Sequence, residues 1–280
     1  ILVSLWPFHA WAAPGYAAAP TATAMLHAGV LKKFGLYGLL RVAQPWMPEA
    51  AAEWMSVLAG LALGNLLYAG WLAMREQNLG RLLGYASVAH MGFAFLGIAA
   101  WNVVGVTGAV VVMIAHGFLA AVAFALAGHF YQQTGTFTFR GWGGLGRVMP
   151  FWGAAFGMMA LAGCGLPGFA NFIGEVTVLF GLWQEAGLRG VTVGALFGAL
   201  VVGALYMLRA VRALVHGPIA EGGFAGRDLR GSGERWPCAL LLAALLWFGW
   251  FPQGLVGKIE PAVAGLMARP QGGELATQFR

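Results

Sequence analysis

The stretch Gly163-Cys164-Gly165-Leu166-Pro167-Gly168-Phe169-Ala170-Asn171-Phe172-Ile173-Gly174-Glu175 lies inside an apolar run that extends from Phe151 to Trp183. As one continuous helix that run would measure about 50 Å, against a hydrocarbon core of about 30 Å. Proline removes a backbone donor and glycine loosens the helix, so the step at Gly165–Gly168 divides the run into two halves. Unwound backbone at membrane depth persists only where protein buries it or a wet cavity adjoins it. The run therefore reads as a broken membrane helix, with the carboxylate of Glu175 eight residues beyond Pro167.

The rest of the chain agrees with a membrane setting. Of 280 residues, 60% are hydrophobic and 9% charged, and the mean hydropathy is +0.74. A soluble domain carries about 25% charged residues, and this chain lacks the polar surface to cover a core in water. Cys164 and Cys238 lie beside or within apolar runs, so neither a disulfide nor a metal site is indicated. The net charge of +6 does not point to nucleic acid. Its longest basic cluster, Arg227, Arg230 and Arg235, is interleaved with Asp228 and Glu234, as in a cytoplasmic loop of a membrane protein. No signal-peptide pattern opens the sequence. It starts at Ile1 within a helix-and-loop pattern, which is the expectation for a piece of a longer chain.

Apolar runs predict seven spans, near 20–42, 53–74, 82–100, 103–131, 150–184, 190–215 and 237–257. The loops around 75–81, 132–149 and 209–235 hold Arg75, Arg81, Arg140, Arg147, Arg209, Arg212, Arg227, Arg230 and Arg235. The alternate loops and the tail hold Arg41, Arg189, Lys258, Arg269 and Arg280. The richer set belongs on the cytoplasmic side. Lys32 and Lys33 are in no loop at all.

A lysine at the centre of a spanning helix costs about 2.5–3.5 kcal/mol on insertion scales. Snorkelling is the bland account, but the nearest end of the run from Pro20 to Leu40 is some seven residues away. Successive helix positions differ by about 100°, so the two lysines cannot share one environment. Glu175 is the only acid between Glu76 and Glu185, and a carboxylate there must pair, be held protonated or adjoin water. A lone structural hydrogen-bonder is the alternative. His90 and His116 lie in consecutive apolar runs. Imidazole can donate on one nitrogen and accept on the other, which suits a hop between a lysine and a carboxylate. Each alone is equally compatible with a satisfied core histidine. His9, His27 and His129 sit nearer run ends, and His216 at a loop edge. Gly141-Trp142-Gly143-Gly144-Leu145-Gly146 matches a dinucleotide-binding pattern, but no strand precedes it, so it reads as a glycine loop before a helix.

Several motifs follow one another in a specific order. They are Pro7-Phe8-His9-Ala10-Trp11, Ala19-Pro20-Thr21, the stretch from Ala28-Gly29-Val30-Leu31-Lys32-Lys33 to Arg41, and Arg81-Leu82-Leu83-Gly84-Tyr85-Ala86-Ser87-Val88-Ala89-His90-Met91-Gly92-Phe93. His116-Gly117, Gly143-Gly144-Leu145 and Gly165 to Glu175 complete the series. To about residue 257 the chain resembles the antiporter-like membrane subunits of respiratory complex I (NADH–quinone oxidoreductase), most nearly the subunit M, or chain 4, branch. The resemblance implies an all-α polytopic membrane protein. Its about seven transmembrane helices, one of them broken, would form the second half of a fourteen-helix fold, with the first half missing. It implies a proton-translocating membrane domain over residues 1–257 and a short tail over 258–280, ending on the non-cytoplasmic side.

Matched motif by motif, Lys33 falls on the family's central lysine, His90 and His116 on its two relay histidines, and Glu175 on the acid of its broken helix. These four residues, Lys33, His90, His116 and Glu175, are the implied proton carriers. Lys32 falls on a usually apolar position. The chain departs from the family at its start, where Leu2 and Ser4 stand at the places of a lysine and a proline. The resemblance implies a subunit of an oxidoreductase that itself performs no redox chemistry and holds no cofactor or metal; flavin, iron–sulfur clusters and quinone belong to partner subunits. Its partners would be other membrane subunits, the lipid bilayer and protons, with no nucleic acid, in a bacterial inner membrane. Two other readings share the same relay: a subunit of a multisubunit Na⁺/H⁺ antiporter or membrane-bound hydrogenase, and a degenerate, non-pumping scaffold.

Overall fold

Helix ends follow from local chemistry. Asn78 and Asn102 each adopt extended backbone and accept a hydrogen bond from an amide three residues on, Arg81 N at 3.0 Å and Gly105 N at 2.8 Å. Each thereby starts a long helix. Gly135, at φ 71°, closes the second of them in the left-handed conformation that glycine tolerates. Asp228 does the same service from a distance: its carboxylate accepts from Phe151 N and Trp152 N at 2.8 and 3.0 Å. A negative group at the start of a helix satisfies free amides and meets the positive end of the dipole.

In this computed structural model, residues 1–219 and 226–268 are described. The helices are α1 (Ala12–Ala18), α2 (21–46), α3 (Pro48–Arg75), α4 (Leu79–Ala99), α5 (Val103–Thr134), α6 (Pro150–Gly163), α7 (Ala170–Gln184), α8 (Ala186–Leu214), α9 (Gly231–Trp250) and α10 (Gln253–Met267). Among the described residues there is no strand, only an isolated bridge between Asn78 and Thr138. The chain is an integral, multi-pass, all-α membrane protein. Four helices, α3, α4, α5 and α8, are individually long and apolar enough to cross a membrane.

The other expected spans are interrupted. The run 150–184 is divided, as anticipated, into α6 and α7. The run 20–42 forms α2, but with π turns at His27–Leu31 and Leu39–Ala43. The run 237–257, expected as one span, is divided between α9 and α10, which meet at an angle of 71° around Phe251 and Pro252. The helix α10 also crosses the expected domain boundary at residue 257, and residues 269–280 of the expected tail lie outside the described residues.

Apart from Arg81, Ser87 and His90 the helix α4 is apolar on every side, and its whole length from Leu79 to Ala99 is buried except at Arg81 and Tyr85. A helix without a polar face belongs inside a bundle. Here α4 is enclosed by α1, α3, α5 and α7. Glycines bring α5 and α7 together: a methyl group at Gly108 or Gly174 would stand 2.6 or 2.8 Å from a backbone nitrogen of the other helix. Without a hydrophobic drive between helices in lipid, such close approach is what holds them. On the outside, Phe34, Trp54, Phe180, Val193, Leu200 and Trp247 are exposed, as befits apolar surroundings.

The arginine-rich loops gather at one end. Phe139 N donates to Gln77 O, Gly144 N to His216 O, and Arg209 to the carbonyl of Glu76. At another turn, Asn102 donates to Gly181 O and Glu185 Oε1 at 2.8 and 3.0 Å. The alternation read from charge is thus reproduced by which loops touch.

Candidate functional site: a row of buried titratable side chains

The site starts with an irregularity in α2. At His27–Leu31 the helix widens, and Lys32 N bonds back five residues to His27 O at 2.9 Å. π turns of this kind are frequent at functional positions. The Ala28 carbonyl inside it accepts a hydrogen bond from the Lys33 ammonium. Lys33 Nζ also lies 2.8 Å from His116 Nδ1, on α5. With Lys33 as donor, His116 carries its own proton on Nε2. Gly29 of the same turn packs against the Gly117 carbonyl, so α2 and α5 approach closely where the lysine crosses between them.

The His116 ring faces His90 of α4, with centroids 5.7 Å apart. His90 Nδ1 is 3.4 Å from Glu175 Oε1 on α7, and both side chains are 7% exposed. The two imidazoles border a cavity of about 20 Å³ together with Ser87, and one water needs about 10–15 Å³ and polar partners. A smaller space, about 10 Å³, lies between His90, Glu175, Cys164 and Tyr206. The four residues expected from the sequence are therefore brought into one row, Lys33, His116, His90, Glu175, drawn from four helices. Each link is a hydrogen bond, an ion-pair contact or a single water-sized gap.

The broken helix makes room for the carboxylate. Gly165 has φ 65°, which L side chains rarely adopt, and a Cβ there would run into Glu175 Oε2. A Gly165→Ala variant is expected to lose about 1–2 kcal/mol to backbone strain and to displace the carboxylate from His90. Thermal inactivation and coupled turnover of the intact complex measure it, with Gly187→Ala, which meets nothing within 4 Å, as control. Equal behaviour of the two variants would remove Gly165 from the site.

Lys32 differs from its expectation. On a position the resemblance makes apolar, it is the more deeply buried of the pair, at 0% exposure against 8% for Lys33. Its Nζ donates to Ser87 Oγ at 3.3 Å and lies 5.7 Å from the centre of the Tyr16 ring. Tyr16 OH is 3.0 Å from His27 Nδ1. The sequence reading passed over Tyr16 and Ser87. For Ser87 a signal existed: it stands three residues before His90, on the same helix face.

The remaining histidines stand apart from the row. His9 is buried and packs edge-on against Tyr68. His129 Nε2 pairs with Arg227 O at 2.9 Å, which ties a loop down. His216 is exposed. Leu2 is 43% exposed, while Val3 takes the buried place beside it. Among the described residues no group of three or more His, Cys, Asp or Glu is placed to hold a metal ion.

An all-α bundle with a lysine, two histidines and a carboxylate in a row at its centre is a multi-pass membrane protein with a buried polar path. Residues 1–201 match the NADH:quinone oxidoreductase/Mrp antiporter transmembrane family, and the chain belongs to that family. It is 34% identical over 262 residues to NADH-quinone oxidoreductase subunit M of Escherichia coli K12, covering 93% of this chain and 51% of that one. It is 31% identical over 267 residues to NADH-ubiquinone oxidoreductase chain 4 of Chondrus crispus, covering 95% and 54%. Among solved structures, a chain of respiratory complex I from Thermus thermophilus superposes with a TM-score of 0.85 at 31% identity, covering 95% of this chain and 56% of that one. A chain of the Mrp complex from Dietzia gives 0.87 at 18% identity, covering 96% and 57%, a likeness of fold alone. The chain spans about half the length of the curated relatives it matches.

Proposed function

We propose that this chain forms part of a proton-translocating membrane subunit of an NADH–quinone oxidoreductase, with Lys33, His116, His90 and Glu175 as its proton carriers. The observation that carries the reading is the continuity of the row from Lys33 through His116 and His90 to Glu175, drawn from four helices and buried within the bundle. Relatives above 30% identity are named as subunits of that oxidoreductase, whereas the Mrp likeness, at 18%, speaks only for the fold.

In one passage an N–H bond of the Lys33 ammonium breaks and one forms on His116 Nδ1. The proton on His116 Nε2 leaves across the water-sized cavity to His90, and the proton on His90 Nδ1 passes to Glu175. Lysine ends neutral and glutamate protonated; the number of protons is unchanged. Imidazole suits the two middle places because it accepts and donates on opposite nitrogens. The chain moves protons and does no redox chemistry. Flavin, iron–sulfur clusters and quinone reside in partner subunits of the complex, in a bacterial inner membrane. The membrane domain runs from residue 1 past the expected boundary at 257 to the end of α10 at Met267.

The test is NADH-driven transport by the intact complex in proteoliposomes. Acidification in sodium-free buffer, collapsed by a protonophore, is the expected result. Sodium movement that persists with the protonophore present would overturn proton translocation in favour of cation transport.

A further inference from the structure

Among the buried titratable groups outside the row just described, Lys32 carries the least exposed amine. Lys32 has no exposed surface, and it takes part in neither of the two close basic–acidic contacts among the described residues, Arg81–Glu76 and His90–Glu175. Burying such a lysine in a membrane helix is costly, and packing against one aromatic ring offsets that only in part. Its environment is also polar in a directed way. The Lys32 ammonium donates to Ser87 Oγ, and Ser87 borders the same cavity as His90 and His116. On that cavity His90 presents a further clue: its Nε2 is buried and has no hydrogen-bond partner. Ser87 and His90 stand three residues apart on α4 and so face the cavity from one side. With about 20 Å³ available, one water fits between the hydroxyl and the ring nitrogen.

We propose that Lys32 is a second proton-carrying residue, which reaches His90 through Ser87 and the cavity while Lys33 reaches it through His116. The inference rests on the proton-relay reading above and adds a branch to it. In the step, an N–H bond of Lys32 breaks as the proton joins the Ser87 oxygen. Ser87 releases its own hydroxyl proton toward His90 Nε2, so the hydroxyl is restored and Lys32 is left neutral. Refilling comes from the Tyr16 side, where the ring centre lies 5.7 Å from Lys32 Nζ and the phenol contacts the half-buried His27 at 3.0 Å. The two lysines follow one another in sequence yet open on different neighbours, because successive positions differ by about 100°. Their paths rejoin at the cavity.

The experiment compares Lys33→Met, Lys32→Leu and the double variant in the intact complex, reading the proton-to-electron ratio in proteoliposomes and assembly on native gels. Leucine at position 32 lifts the insertion cost, so assembly is expected to persist. Lys33→Met should leave a small residue of pumping, and adding Lys32→Leu should reduce that residue to the protonophore background. Lys32→Leu alone should lower pumping by about twofold or more, and Ser87→Ala should do likewise, with recovery in Ser87→Thr. A lysine that served only packing would leave pumping unchanged in Ser87→Ala, since the Tyr16 ring contact survives. Wild-type pumping by Lys32→Leu or, should that variant not assemble, by Ser87→Ala overturns the branch. Wild-type pumping by Lys33→Met overturns the relay reading itself, so the two failures are told apart.

Discussion

Lys33→Met in the intact complex is expected to remove most NADH-driven proton pumping, by about tenfold or more, while the complex still assembles. Methionine matches the length and apolar stem of lysine but cannot bind a proton. It also removes the insertion cost of the charge, so a loss of pumping cannot be traced to a loss of folding. In the structure the substitution deletes both the contact with His116 Nδ1 and the hydrogen bond to the Ala28 carbonyl. His116 then keeps its place between α2 and α5 without a proton donor on that side. Quinone reduction measured beside acidification separates an uncoupled enzyme from an inactive one. An assembled Lys33→Met complex that pumps at the wild-type ratio would sink the assignment.

The second large effect is expected at the other end of the row. Glu175→Gln keeps the shape of the side chain beside Gly165 but removes the group that accepts the proton from His90. Coupled turnover should fall by about tenfold or more, with little change in thermal stability, because the amide can still hydrogen-bond His90. Glu175→Asp retains the acid but shortens its reach across a 3.4 Å contact, and should retain part of the activity. If the glutamine variant pumps normally while the aspartate variant does not, Glu175 acts by its length and not by its proton.

Much of this was legible in the sequence, for identifiable reasons. Pro167 between two glycines announced the break, because that composition cannot continue a helix. Loop arginines announced which turns share a side, and the loops do meet. The four proposed carriers were legible as chemistry, but positions 33, 90, 116 and 175 have no spacing that unites them. Only their order among family motifs suggested one row. Other features left no trace. The π turn at His27–Leu31 has no compositional mark, so nothing in the sequence announced that both Lys32 and Lys33 would be buried. Pro252 was visible, yet the apolar run continues through Leu255 and Val256. Hydropathy alone therefore drew one span where the chain turns by 71°.

The glycine contacts and the π turns together divide the molecule mechanically. His116 and Glu175 stand on helices locked backbone to backbone through Gly108 and Gly174, and Gly97 joins α4, which carries His90, to the same frame through the Gly105 carbonyl. The frame is stiff, because glycine leaves no side chain to flex between two helices. The lysines stand on α2, which two widened turns interrupt within one helix length. π turns also interrupt α3 at Asn65–Ala69 and α8 at Gly198–Gly203, so the compliant elements are α2, α3 and α8, while the glycine contacts tie α4, α5 and α7 into one frame. The spacing between His90 and Glu175 is set by the frame, whereas the spacing between Lys33 and His116 crosses from the compliant α2 to the stiff frame. A force on this subunit would open or close that gap of the row before the others.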